Sequence, residues 1–220
     1  LGDVYKRQVL SESTRTRAQK LSDSKQDDAS KKSQYVIVLD AGHGGKDEGA
    51  VSDDGKLEEK EYNLAVVKEI ARLLEQSGVK VYCTRTTDRT VSKKARVRLA
   101  NKRQADMLVS VHCNASDARK HSVRGIEVLY SKRDNGAGYT NKQLAAKLLK
   151  KTVAATGLPA RGVIRREDLY LMHHAKVPAV IVETGYLTNP SDCLYMRQEK
   201  GIRQTAWGIY QAVMETLEKY

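Results

Sequence analysis

The chain has 220 residues, 40% hydrophobic and 30% charged, enough length and apolar content to close one core and to exclude wholesale disorder. No run approaches the roughly 18 apolar residues that cross a bilayer, so no membrane span is expected. The net charge of +12 favours polyanionic surroundings such as an anionic cell wall, a membrane surface or nucleic acid; nucleic acid is disfavoured, because no helix-turn-helix, zinc-finger or RNP pattern is present and Phe is absent.

Residues 1–34 are rich in Ser, Lys, Arg, Asp and Gln, lack an apolar period, and read as a disordered lead or linker. The opening Leu1 to Gln8 reads as partly non-native sequence, so the missing secretion signal carries no information about compartment. Eight Lys/Arg against five Asp/Glu in this lead leave +9 of the net charge on residues 35–220.

Val36 to Leu39 are four consecutive apolar residues, the first three β-branched, and predict a buried strand. The strand runs into Ala41-Gly-His-Gly-Gly45. A single imidazole, His43, thus sits on a glycine loop past the carboxyl end of a strand, where open α/β sheets take their ligands. A helix is predicted from Glu59 to Gln76, with Leu64, Val67, Ile70 and Leu74 on one face and Ser77-Gly78 ending it. A second strand follows at Val79–Thr84, and a basic helix runs from Ser92 to about Gln104. Strands are predicted at Met107–His112 and Gly125–Tyr130, a helix at Asn141–Ala155, and a fifth clear strand at Ala179–Thr184 after Pro178. A helix carrying Ile202, Ala206, Ile209, Val213 and Leu217 closes the chain. This alternation predicts an α/β fold, one domain over residues 35–220 with a central, mostly parallel twisted sheet of five to six strands and helices on both faces. The three cysteines, Cys83, Cys113 and Cys193, are odd in number and not closely spaced, which supports neither a disulfide framework nor a cysteine-rich zinc site. Cys83 and Cys113 read as buried thiols.

Three of the apolar strands end at a residue capable of chemistry: Leu39 leads to His43, Val111 to His112 and Val182 to Glu183. If these strands are parallel neighbours, the three side chains meet at one rim, and Glu59 at the start of the first helix is a fourth candidate. Two imidazoles and a carboxylate with one open position form the ligand set of a catalytic zinc site, which leaves Glu183 as acid/base. His173-His174 reads as a loop pair near the same rim. Cys113 is a poor co-ligand, because successive strand side chains point to opposite faces.

The chain resembles the zinc-dependent N-acetylmuramoyl-L-alanine amidases of the Amidase_3 type, bacterial cell-wall enzymes. The matching segments are Val38 to Ala50, Glu59-Lys60 with Asn63-Leu64, Thr84-Arg85 with Asp88, Arg98-Leu-Ala-Asn101, Ser110 to Ala115, Gly125-Ile-Glu-Val128, and Pro178 to Asn189, in family order. The resemblance implies zinc held by His43, Glu59 and His112, with Glu183 catalytic; Arg85, Arg98, Asn101 and Asn114 are candidates either to contact substrate or to brace loops. It also implies peptidoglycan or muropeptides as substrate, an extracytoplasmic place of action, an anionic wall as surroundings, and a monomer. Three positions depart from the family pattern: Ala41 for a frequent Pro, Tyr186 for the usual Phe, and His173 for a frequent Arg. The stretch from His112 to Glu183 is too short for the regulatory helix insertion of some relatives, so no self-inhibition of that kind is expected. Rival readings are another zinc peptidase acting on wall peptides, and a silent wall-binding module; binding alone does not require the intact set of His43, Glu59, His112 and Glu183.

Overall fold

Val36–Ala41 (β1) is buried almost throughout because its side chains face helices on both sides. In this computed structural model, which describes residues 35–117, 121–133 and 135–220, β1 pairs in parallel with Lys80–Cys83 (β2) and with Met107–Asn114 (β3). Ala179–Tyr186 (β6) continues the parallel run beside β3. Ile126–Tyr130 (β4) lies antiparallel to β6, and Ala160–Arg165 (β5) pairs in parallel with β4 at the far edge. The sheet therefore has six strands in the order β2-β1-β3-β6-β4-β5. The predicted lead of residues 1–34 lies outside the described residues.

Alternation within the strands divides the core in two. Ile37, Leu39, Val109, Val111, Val128, Val180 and Val182 face Glu59–Gln76 (α1), Asn141–Thr156 (α3) and Glu199–Lys219 (α6). Val38, Leu108, Leu129 and Ile181 face the other way, onto Lys93–Arg103 (α2) and the short Tyr170–His174 (α4). α1 presents Val66, Val67, Ile70 and Leu74, all fully buried, at the spacing of one helical face. Each contributes roughly 1.5–3 kcal/mol of burial. The predicted helix bounds hold closely: Ser92 caps α2 by accepting from the Ala95 amide, and Gln104 ends it in the left-handed region. α3 is extended by one residue relative to expectation and carries a capping box of Thr140 and Gln143. Pro190–Met196 (α5) is a short helix capped by Asn189. Cys113 and Cys193 are buried, whereas Cys83 is only half-buried, because β2 is the sheet's other edge.

The consequence for function lies at the carboxyl ends of β1, β3 and β6. These three are adjacent and parallel, so residues beyond Ala41, at His112 and at Glu183 arrive at one rim.

Candidate active site

His43 is held by a loop that only small residues permit. A Cβ added at Gly42 would lie 2.3 Å from the His112 ring, and one at Gly49 would lie 2.5 Å from Glu59 Oε2 and 2.8 Å from the His43 ring. His43 itself has φ of 59°, uncommon for a non-glycine residue. The turn is held by Arg85 and Arg96 from below. Arg85, 1% exposed, donates to the carbonyls of Ala41, Gly42, Lys60 and Thr87. Arg96 reaches the His43 and Ala41 carbonyls and the Asp40 carboxylate. Arg85, by sequence a candidate for substrate contact or for loop bracing, thus braces the loop: its burial commits the guanidinium to the backbone. Asn114 is half-buried and donates to the Tyr186 hydroxyl at 3.1 Å.

Glu59 opens α1, and the residue is 3% exposed. Its Oε1 lies 2.9 Å from His112 Nδ1 and 3.2 Å from His43 Nε2, and it accepts from the Cys113 amide. Its Oε2 accepts from the Ala50 amide at 2.8 Å. Burial opposes ionisation, but the hydrogen bonds from His112 and His43 overcome it and hold the carboxyl well below the usual range. On the other side of His43, Nδ1 lies 2.8 Å from Asp47 Oδ1, which turns Nε2 toward Glu59. For His43, burial favours the neutral ring, yet Glu59 and then Asp47 push its pKa up to about 9.

The ligating atoms of His43, Glu59 and His112 lie within 4.8 Å of one another, the one such group among the described residues. Two imidazoles and a carboxylate drawn together in this way fit a divalent metal ion, whose binding would displace the protons that now bridge the rings to Glu59. The two rings meet edge to face with centroids 4.9 Å apart. Cys113 points away, its Sγ 3.5 Å from Asn63 Oδ1, as the alternation of β3 requires. His173 and His174 are exposed; His174 stacks on Tyr170 instead of joining the group.

Glu183 stands beside His112 in register across β3 and β6. Its Oε2 is one of three buried side-chain oxygens without a hydrogen-bond partner among the described residues. Burial pushes its pKa up to about 7, despite the opposing charge of His112. A cleft of about 300 Å³ extends from His43, His112 and Glu183 over Asp40, Ser110, Ile181 and Leu129. The sequence reading assigned no role to Asp47, Asp40 or Arg96. Asp47 had a local signal, four residues after His43 in the same loop; the Asp40–Arg96 pair joins a strand to a helix and had none.

Residues 37–215 match the family described as N-acetylmuramoyl-L-alanine amidase, Amidase_3. The amidase LytC of Bacillus subtilis (strain 168) is 36% identical over 163 residues, 74% of this chain and 32% of LytC. The probable cell wall amidase LytH of Staphylococcus aureus is 36% identical over 187 residues, 84% of this chain and 58% of LytH. Among solved structures, the catalytic domain of CwlV, an N-acetylmuramoyl-L-alanine amidase from Bacillus (Paenibacillus) polymyxa var. colistinus, matches with a TM-score of 0.77 at 33% identity, over 85% of this chain and 100% of that one. The chain thus spans about a third of the length of LytC and under two thirds of LytH. With nearly the whole described fold inside the match, this chain belongs to the Amidase_3 family of N-acetylmuramoyl-L-alanine amidases.

Proposed function

We propose that this protein hydrolyses the amide between N-acetylmuramic acid and the L-alanine of the stem peptide in peptidoglycan. The observation that carries the reading is a buried carboxyl, Glu183, set beside three converging metal-ligating side chains at the mouth of a cleft. His43, Glu59 and His112 would hold zinc, which when bound supplies Lewis acidity and lowers the pKa of water toward ~7.

The remaining work falls to the chain. Glu59 keeps a full negative charge at neutral pH because both imidazoles hydrogen-bond to it. Asp47 fixes the ring orientation of His43 through Nδ1. Glu183 needs to take a proton from water and return it to the departing amine of L-alanine. A carboxyl poised near neutrality by burial can do both, whereas an exposed one is too weak a base. Its Oε2, buried and unpartnered, offers the lone pair for that transfer.

Relatives named as cell wall amidases support action outside the cytoplasm on the wall, and no helix among the described residues is long and apolar enough to cross a membrane. The test is digestion of purified muropeptides by protein of measured zinc content, with products identified by mass. Release of a stem peptide bearing a free L-alanine amine supports the reading. Cleavage within the peptide would make it another zinc peptidase, and zinc-loaded protein that binds without cleaving would make it a wall-binding module.

A further inference from the structure

We infer that Tyr186 and Arg161 are positioning residues: they hold a second carboxylate, Glu127, off Glu183, so that Glu183 alone is free to move the proton. This rests on the amidase reading and adds to it the reason why only one of two neighbouring acids acts.

Glu127 of β4 and Glu183 of β6 are direct partners across the antiparallel pair. Residues opposite one another in such a pair point to the same face, with Cβ atoms roughly 4.5–5.5 Å apart. The two acids are thus neighbours, yet their surroundings differ. Glu183 lines the cleft with His43 and His112, and its Oε2 has no hydrogen-bond partner. Glu127 does not line the cleft, and both of its oxygens are engaged. Oε1 accepts from Arg161 Nε at 2.5 Å and from the Tyr186 hydroxyl at 2.9 Å. Oε2 takes a longer contact, 3.5 Å, from Asn114 Nδ2, which also donates to the Tyr186 hydroxyl at 3.1 Å. Arg161 belongs to β5, on the side of β4 away from β6, so its pull draws the carboxylate away from Glu183.

The restraint matters because like charges directly opposite one another repel. An unheld Glu127 would swing toward Glu183, disturb its direction and compete for the proton it must carry. Arg161 alone is a weak hold: its side chain is 39% exposed, and solvent screens the ion pair. Tyr186 is 5% exposed, and its hydroxyl supplies a second hold from inside. Burial, and then the bond to Glu127, push the Tyr186 pKa up to about 12, so the hydroxyl remains a donor at neutral pH. The family usually has Phe at this position, so the hydroxyl is a hold that this chain adds to that of Arg161. Neither Tyr186 nor Arg161 lines the cleft, so their effect belongs in turnover and not in substrate affinity.

The test is a double-mutant cycle on zinc-loaded protein with a soluble muropeptide. Tyr186→Phe/Arg161→Gln should lower kcat about tenfold, with KM, zinc content and melting temperature retained. In a Glu127→Gln background no second carboxylate remains to be restrained, so the same pair should change kcat by less than about twofold. Arg165→Gln, on the same edge strand but paired to Glu167, should match the wild type. If the paired variant loses melting temperature, Tyr186→Phe alone keeps the buried ring and should show the same dependence on background at smaller size. The side-chain amide signal of Asn114 in heteronuclear NMR reads the cluster without turnover, and Tyr186→Phe should shift it. An unchanged kcat, an equal fall in both backgrounds, or an unmoved Asn114 signal would overturn the inference and leave the amidase reading standing. A zinc-loaded wild type that cleaves no muropeptide would overturn both.

Discussion

Glu183 shows most directly what one residue can be asked to do. Glu183→Gln preserves shape and removes the exchangeable proton, so zinc should stay bound while turnover falls by ~10²–10⁴-fold or more. Zinc stoichiometry and rate measured on one preparation decide this; full zinc with near-normal turnover would remove Glu183 from the chemistry. The same substitution has a thermodynamic signature in the metal-free protein. The folded pKa, about 7, is raised above the ordinary 4.5, so the folded state binds the proton more tightly. Its contribution to stability is full below about pH 4.5 and is lost as pH rises through about 7. Metal-free Glu183→Gln should therefore be more stable than wild type at pH 8, by on the order of 2 kcal/mol, with the gap closing near pH 4.5. Denaturant titration at both pH values reads the difference. A second residue-scale test concerns Gly42, whose added Cβ would strike the His112 ring. Gly42→Ala should weaken zinc binding by displacing the His112 ring while all three ligand residues are retained, measured by competition with a chelator. His43, His112 and Glu183 were legible as candidates because each follows an apolar strand. What the sequence could not display was the direction of a long side chain: it left Arg85 open between substrate contact and loop bracing, and the side chain lies under the loop.

At the scale of elements, the site depends on β1 and α2 being locked together. Asp40 is fully buried, and Arg96 from α2 reaches it and, in passing, the carbonyl of His43. Burial alone would raise the Asp40 pKa, but the Arg96 guanidinium, with Ser110 and Thr84, holds it below the usual carboxylate range. That contribution is present above the unfolded value of 3.8 and disappears as pH falls through the lower folded value. Arg96→Ala leaves a buried charge uncompensated and should cost roughly 3–5 kcal/mol. Acid unfolding of the variant should also begin at higher pH than in the wild type. Loss of less than 1 kcal/mol in chemical denaturation would show that water or another side chain replaces the guanidinium. Helix bounds were readable here because caps are local, as with Ser92 and Thr140. β5 was not: its sequence Ala160 to Arg165 has no apolar run, since an edge strand with one neighbour needs little burial on its faces. The antiparallel setting of β4 against β6 was equally hidden, because strand direction depends on the path of the connections and not on composition.

Over the whole molecule, the alternation of strands and helices was enough to predict the sheet and its central parallel strands, and that prediction places the site at one rim. The net charge is a separate property, and it concerns where the protein accumulates. Many surface cations are neutralised locally, as in Arg165–Glu167, Arg166–Asp168 and Arg203–Glu199. α2 is different: Lys93 to Arg103 contains no acidic residue, and Lys94, Arg98 and Lys102 are exposed. Its buried cation Arg96 is satisfied by Asp40, so the outward field comes from the others. An anionic wall should be attracted to this side, and attraction between exposed charges is screened over ~10 Å at 0.1 M salt and ~3 Å at 1 M. Adsorption to intact wall should therefore fall steeply between these concentrations, whereas cleavage of a small soluble muropeptide, held by metal ligands and a partly enclosed cleft, should fall less. Lys94→Gln/Arg98→Gln/Lys102→Gln should lower adsorption at low salt and flatten its salt dependence, with the soluble-substrate rate retained, because none of the three lines the cleft. Cosedimentation with insoluble wall across a salt series measures it. Adsorption that is insensitive to salt, or unchanged in the triple variant, would show that the wall is held by shape and hydrogen bonding at the cleft and that the charge of α2 serves solubility alone.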